Sequence, residues 1–417
     1  MTNGRSTAWN SLQRHVVPLA AMLTLLGCGS PPAVNTSAMM PADAGVRMQS
    51  VPGRYVVQFK DTAAGDHFKA RTKAKLYKNL AELGVEVLEL PVGTDLQTVQ
   101  SAEEVDFAEP DFLYTFQPTA ETLASKEKNT PGLSGQYALK MVDAPTAWRK
   151  TRGDAGVTIA IIDTGIDRNH PDLRGRITGG YNVLEPKSPP TDENGHGTHV
   201  AGIAAASSNV LSGMAPNCKI MPIKVANAHG MASTSQIAEG IAYAALHGAD
   251  VINLSIGGPA PSKTLEKAVA ACVKRNIPLV AAMGNDGSNK PMYPAAYAGV
   301  IAVGATNQRD EVTNYSQKGR WISVVAPGDG IISTTPTYTT NLIQTGATTA
   351  KYGRLSGTSM AAPLVSGIVA MMRSTTPGMS PKAIKQRLEE TTDGNHKYST
   401  TSGYGRVNAA RAVGAIN

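Results

Sequence analysis

Aromatic residues are scarce in this chain: Phe, Trp and Tyr make up 5% of its 417 residues. A core of ordinary size must therefore be packed with Ala, Val, Ile and Met. Cysteine is scarcer still. Three thiols (Cys28, Cys218 and Cys272) exclude a disulfide framework. Cys218 and Cys272 stand in apolar segments and read as buried free thiols. No run of five or more like charges occurs, which argues against nucleic acid as a partner. Beyond residue 26 no segment reaches the ~18 continuous apolar residues of a membrane-spanning helix.

What is abundant is glycine, with 41 residues, beside a hydrophobic content of 41%. Both suit a well-packed α/β protein with many tight turns, and the length suits one large domain plus a smaller one. The net charge of +7 is unevenly spread. Residues 50–117 carry 7 basic and 11 acidic side chains, whereas residues 118–417 carry 29 and 20. Opposite signs on two parts of one chain suit parts that bind each other.

Arg5 and Arg14 precede an apolar run from Val16 to Leu26, and no acidic residue comes before Asp43. Such a pattern marks an export signal too short to span a bilayer. The run ends Leu25-Leu26-Gly27-Cys28, which resembles the lipobox of bacterial lipoproteins and implies that Cys28 is acylated. Residues 1–28 are thus expected to be a lipoprotein signal. Export across the bacterial inner membrane and a lipid anchor at the cell envelope follow from it. Residues 29–50, rich in Pro, Ser and Ala, read as a flexible tether.

Residues 51–116 form the smaller candidate domain. Arg54 to Lys60 looks like a strand. Phe68, Leu76, Leu80 and Leu83 predict a helix over 67–83 that Gly84 caps. Val85 to Leu90 alternates like a strand, a short helix is expected over 94–104, and Val105 to Tyr114 reads as a strand. The order β-α-β-α-β gives a small α+β, ferredoxin-like domain. Tyr55-Val56-Val57-Gln58-Phe59-Lys60 and Val105-Asp106-Phe107-Ala108-Glu109-Pro110-Asp111 resemble the inhibitory propeptide of subtilases. That resemblance implies a folding template and temporary inhibitor, a partner carried on the same chain; a permanent binding module is the alternative. Residues 117–135 read as a linker with the processing site.

Over residues 136–417 apolar strands alternate with amphipathic helices. Val157 to Ile162 is a nearly continuous β-branched run, as in a strand buried on both faces. Ile237, Ile241 and Ala244 mark a helix, Val251 to Leu254 a strand, Leu265, Val269 and Val273 a helix, and Pro278 to Ala282 a strand. The fold class is α/β, a largely parallel sheet flanked by helices, with sites at the carboxyl ends of strands.

Three motifs fall at such places. Asp163 ends a strand in Asp163-Thr164-Gly165-Ile166-Asp167. His196 stands in His196-Gly197-Thr198-His199-Val200-Ala201-Gly202, where a loop becomes a helix. Ser359 opens a helix in Gly357-Thr358-Ser359-Met360-Ala361-Ala362-Pro363. A serine hydroxyl needs a base to become a nucleophile, a neutral imidazole can be that base, and a carboxylate can hold its tautomer. A serine at a helix start also has backbone N–H groups beside it for a developing oxyanion. The order Asp, His, Ser differs from the orders of other serine hydrolase folds.

From about Tyr137 onward the chain resembles the subtilase family, nearest its thermitase-like members. The shared stretches include Ala144-Pro145-Thr146-Ala147-Trp148, His170-Pro171-Asp172-Leu173 and Gly405-Arg406-Val407-Asn408-Ala409. The resemblance implies a secreted serine endopeptidase acting on proteins or peptides through Asp163, His196 and Ser359. It implies an oxyanion donor at Asn285 and a substrate-pairing edge at Ser255, Ile256, Gly257 and Gly258. Ala282, Met283 and Gly284 are expected beside the specificity pocket, which Met283, in place of the family's alanine, would reshape. His199 is expected to be structural. The chemistry requires no cofactor. Asp172 matches a calcium ligand of many subtilases, but the loop Ala206 to Ser212 is about two residues shorter than the family's usual binding loop, which weighs against calcium there. The competing reading is a lipid-anchored surface binding protein on an inactive protease scaffold. A lipase is excluded because no Gly-x-Ser-x-Gly surrounds Ser359.

Overall fold

The structure, a computed structural model, describes residues 48–115, 135–394 and 397–416. Cys28, nearly all of the 29–50 segment and residues 117–134 lie outside them. In chain order the smaller part contains β1 (Ser50–Phe59), α1 (Thr62–Thr72), β2 (Lys75–Leu80), β3 (Val85–Glu89), α2 (Leu96–Gln100) and β4 (Val105–Thr115). The larger part begins with α3 (Tyr137–Met141), α4 (Ala144–Lys150), β5 (Thr158–Asp163), β6 (Tyr181–Asn182), α5 (His196–Ala205), β7 (Lys219–Lys224), β8 (Met231–Ser233) and α6 (Thr234–Leu246). It continues through β9 (Val251–Leu254), α7 (Lys263–Lys274), β10 (Leu279–Ala282), β11 (Ile301–Thr306), β12 (Ile322–Pro327) and β13 (Ile331–Thr334). The last elements are α8 (Asn341–Gln344), β14 (Tyr352–Leu355), α9 (Thr358–Thr375), α10 (Pro381–Glu390) and α11 (Ala409–Ala412).

Seven parallel strands in the order β12-β11-β10-β9-β5-β7-β6 make the main sheet. Side chains alternate across a strand, so a continuous apolar run serves two cores at once. Ile159 and Ile161 of β5 join the core that holds α5 and α9, and Ala160 and Ile162 join the core that holds α6 and α7. The buried helix α9 carries Pro363 in its interior, so the carbonyl of Ser359 has no N–H four residues on and accepts instead from Ser255 Oγ at 2.9 Å. Cys218 and Cys272 are free and buried, and burial pushes their thiols up to about 11 and about 12, so both stay protonated.

The smaller part differs from expectation in one element. Where the apolar spacing predicts a helix over 67–83, α1 stops at Thr72, Lys73 turns left-handed at φ 58°, and Lys75–Leu80 is a strand. The four apolar residues behind that expectation serve separate places. Phe68 packs in the small domain's own core, Leu80 and Leu83 pack against the large domain, and Leu76 is exposed. Pairing of β2 with β3, a contact outside the local pattern, decides the conformation. Gly84 does cap, at φ 66°, but it closes a 3-10 turn over Ala81–Leu83.

The small antiparallel sheet runs β2-β3-β1-β4-β8, and its last strand belongs to the large part. There Leu113, Tyr114 and Thr115 pair with Ser233, Ala232 and Met231. Two carboxylates on β4 cap two helices of the larger domain. Glu109 accepts from Lys263 N (2.7 Å), Thr264 N (3.0 Å) and Ser262 Oγ (2.8 Å) at the start of α7. Asp111, fully buried, accepts from Ser235 N (2.9 Å) and Ser235 Oγ (2.8 Å) in the first turn of α6. A helix start leaves N–H groups unpaired and carries positive potential, which suits both carboxylates.

Replacing Asp111 by Ala strips a buried set of donors of its acceptor and should cost about 1–3 kcal/mol of docking free energy. Glu109→Ala should cost about 0.5–2 kcal/mol, as for a lost helix cap. Limited proteolysis of the full chain, with Ser359 also changed to Ala to keep it whole, should show residues 50–115 digested sooner in both variants.

Candidate active site

β5 is flanked on both sides by parallel strands and carries Asp163 at its carboxyl end, with no exposed surface. One carboxylate oxygen, Oδ1, accepts from Thr164 N at 2.8 Å and lies 2.9 Å from His196 Nδ1. Oδ2 is buried without a partner among the described residues. His196 is the first residue of α5 and is itself buried. Gly197 is what lets that helix start so near β5, since a Cβ on it would stand 2.1 Å from Gly165 O.

Neither motif alone reveals the group that joins them. Asp192 is completely buried and takes donors from both sides. Its Oδ1 accepts from Thr164 Oγ1 (2.8 Å) and Gly195 N (2.8 Å), and its Oδ2 from Thr198 N (2.9 Å) and Thr198 Oγ1 (2.6 Å). Thr164 Oγ1 in turn accepts from Gly197 N at 2.9 Å. The turn after Asp163 and the helix that begins at His196 are therefore held by one carboxylate. The signal was present as an acid four residues before His196, beside Gly195, but a turn-forming Asp reads the same way.

Ser359 is the second residue of α9, in the turn whose N–H groups have no partner within the helix. Its Oγ donates to Ser255 O at 3.1 Å, and Ser255 Oγ donates to Ser359 O at 2.9 Å. Asn285 Oδ1 accepts from Thr358 N (2.8 Å) and Thr358 Oγ1 (2.9 Å). This pair of bonds sets the amide's orientation and leaves Nδ2 beside Gly357, where an added Cβ would be 3.1 Å from it. Thr358 is a second residue whose part the sequence did not reveal.

The expected substrate edge is ordered. Gly258 exchanges backbone hydrogen bonds with Tyr293 at 3.0 and 2.8 Å, and Ile256 is buried. Ala282 and Met283 are buried on opposite core faces, and Gly284 takes φ 107° with Gln317 and Met292 closing on it. His199 is buried in α5 and its Nε2 donates to Ile331 O (3.0 Å) and Gly353 O (3.1 Å). Burial, then the neighbouring His196, depresses its pKa to about 3, so it stays neutral and structural.

The residues around Asp172 do not fit a calcium ion. Asp172 Oδ2 accepts from Tyr352 Oη at 2.9 Å. The loop that would supply oxygens closes on itself: Ser207 and Ser212 form a bridge, and Gln136 bonds Ser212 through both amide atoms at 2.6 and 3.1 Å. Among the described residues no three His, Cys, Asp or Glu side chains could share a metal.

Residues 154–407 match the model of the subtilase family. The chain belongs to the subtilase family. It is 38% identical over 378 residues to the thermophilic serine proteinase of Bacillus sp. (strain AK1), covering 87% of this chain and 88% of that protein. It is 42% identical over 286 residues to thermitase of Thermoactinomyces vulgaris, covering 67% and 96%. Among solved structures it resembles fervidolysin from Fervidobacterium pennivorans, a keratinolytic enzyme related to subtilisin, with a TM-score of 0.75 and 28% identity. That match covers 88% of this chain but 61% of fervidolysin. This subtilase is therefore a serine endopeptidase of the subtilisin type, as its proteinase relatives indicate.

In this subtilase Asp192→Asn would set an amide N–H₂ against backbone and hydroxyl donors and should destabilise by about 2–4 kcal/mol. The expected readout is a clear fall in Tm with secondary structure kept. Asp172→Ala should lower Tm by the same amount with and without added calcium, because the bond lost is the one to Tyr352.

Proposed function

We propose that this subtilase cuts peptide bonds with Ser359 as nucleophile, His196 as general base and acid, and Asp163 as the group that orients the imidazole. The single observation behind the assignment is the 2.9 Å contact between Asp163 Oδ1 and His196 Nδ1 at the end of a central strand. With Nδ1 bonded to the carboxylate, Nε2 is the ring nitrogen that acts as the base. The Ser359 Oγ–C bond forms as the hydroxyl proton passes to Nε2. That proton then goes to the amine as the C–N bond breaks, and water releases the acyl group by the same steps in reverse order. Asn285 Nδ2–H and the N–H groups at the start of α9 would hold the oxyanion. Residues 255–258 would pair with the extended substrate.

Residues 51–116 act, on this reading, as an inhibitory propeptide, supported by the capping of α6 and α7 and by the strand pairing with β8. Processing would fall within 117–135. Cys28 would carry the lipid that anchors the exported precursor at the bacterial cell envelope, and the cut would separate the mature protease from that lipid. No helix among the described residues is long and apolar enough to cross a membrane.

Intact-mass measurements on the full chain, as wild type and as Ser359→Ala, test the reading. Only the wild type should split within 117–135 and be labelled by a fluorophosphonate. If the wild type stays whole and unlabelled, the inactive-scaffold reading replaces this one. Asn285→Ala should lower kcat by about 10²–10³-fold with little change in Tm; that magnitude is the known one for the corresponding donor of subtilisin.

A further inference from the structure

Lys224 is the last residue of β7, opposite Asp163 of β5 in the parallel register, and its side chain is buried. Its neighbours Ile223 and Val225 are buried and apolar, and a lysine is costly to bury there unless its charge is met. Three partners match its three N–H groups. Nζ donates to Thr164 O at 2.7 Å and to Ala226 O at 3.1 Å, and it lies 3.2 Å from Glu193 Oε2. They come from separate pieces of chain: the turn after Asp163, the segment after β7 and the loop before His196.

Thr164 is the residue through which that grip reaches the catalytic pair. Its N–H donates to Asp163 Oδ1, the oxygen that meets His196 Nδ1, and its Oγ1 accepts from Gly197 N. Asp192 holds Thr164 by the hydroxyl, whereas Lys224 holds it by the carbonyl. Two groups of opposite charge thus grip one residue at two atoms, which fixes its orientation as a single bond would not. Asp163 O is held too, by Val225 N at 2.9 Å and Ala226 N at 3.3 Å, so the strand end is tied to the segment that Lys224 anchors.

We propose that Lys224 is a positioning residue for catalysis, which keeps the Asp163 carboxylate on His196 by fixing the Thr164 carbonyl and sets a positive charge against the acids around the imidazole. The proposal rests on the reading that His196 is the base, and Lys224 itself meets neither substrate nor reacting atoms. The carboxylates of Asp163, Asp167, Asp192 and Glu193 stand on the elements packed about this strand end, and each favours a charged imidazole. Burial keeps His199 and Tyr338 uncharged, so neither opposes them. The ammonium of Lys224 does.

The test compares wild type, Lys224→Met and Lys224→Gln as full chains after self-processing, with active sites counted by a fluorophosphonate. An internally quenched peptide is assayed from acid to neutral pH, well below each Tm. Methionine keeps the length of lysine without donor or charge, and glutamine returns a donor without the charge. Per labelled site, kcat should fall about 10²-fold in Lys224→Met, as for a catalytic group displaced by ~1 Å, and less in Lys224→Gln. KM should stay within about two-fold, because residues 255–258 hold the substrate elsewhere. In both variants the acid limb of kcat/KM should move to higher pH by about half a unit, since loss of a cation eases protonation of the base. A lower Tm with kcat per site and the acid limb unchanged is the mark of a merely structural lysine. It would overturn the proposal and leave the protease reading intact. If Lys224→Met gives no folded enzyme, Lys224→Gln decides by the same two readouts. A wild type that neither labels nor hydrolyses would overturn the catalytic reading and this proposal with it.

Discussion

A buried carboxylate that never meets a substrate sets the geometry on which the site depends. Asp192 accepts hydrogen bonds from Thr164, beside Asp163, and from Gly195 and Thr198, on either side of His196. Asp163 is delivered by a strand and His196 by a helix, and nothing in the covalent chain keeps a strand end and a helix start in register. One ion with donors on both sides does so, because moving either element would leave a buried charge short of partners, which is costly in a low-dielectric interior. Thr358 performs a comparable task for Asn285, taking both lone pairs of Oδ1 so that the amide nitrogen can face only one way.

The same rule, that a buried polar group must be met, explains how the small domain is held. The opposite net charges of the two parts suggested attraction between ions. Yet the ion pair found across this boundary among the described residues, Lys78 with Glu239, has its signs reversed relative to those net charges. Acidic Glu109 and Asp111 engage the unpaired N–H groups of two helix starts, and Phe107 lies near the ammonium groups of Lys263 and Lys267. Oriented backbone dipoles, which a count of charged residues cannot register, carry the complementarity.

How much could be read beforehand differs between elements for identifiable reasons. The strand at 158–163 and the helices starting at Thr234 and Lys263 were legible because a parallel sheet buried on both faces demands uninterrupted apolar runs, and its helices demand one apolar stripe. Lys75–Leu80 was not, because Phe68, Leu76, Leu80 and Leu83 match helical spacing while belonging to two cores and a solvent face. Asp163, His196 and Ser359 were legible as motifs because each sits where an element begins or ends, and such junctions carry Gly, Thr and Ser in recognisable order.

By itself the sequence determined the alternation of strands and helices, the residue types able to do acyl transfer and the separation into an acidic and a basic part. All three are written in local pattern or composition. Only the tertiary structure decided that Asp163 and His196 touch, that Asp192 and Thr358 fix their neighbours, and that Asp172 is bound by Tyr352. It also decided that the buried Lys224 reaches the Thr164 carbonyl. Those facts depend on contacts between residues 28 to 180 positions apart, or on the direction a side chain takes within a turn, and local pattern contains neither.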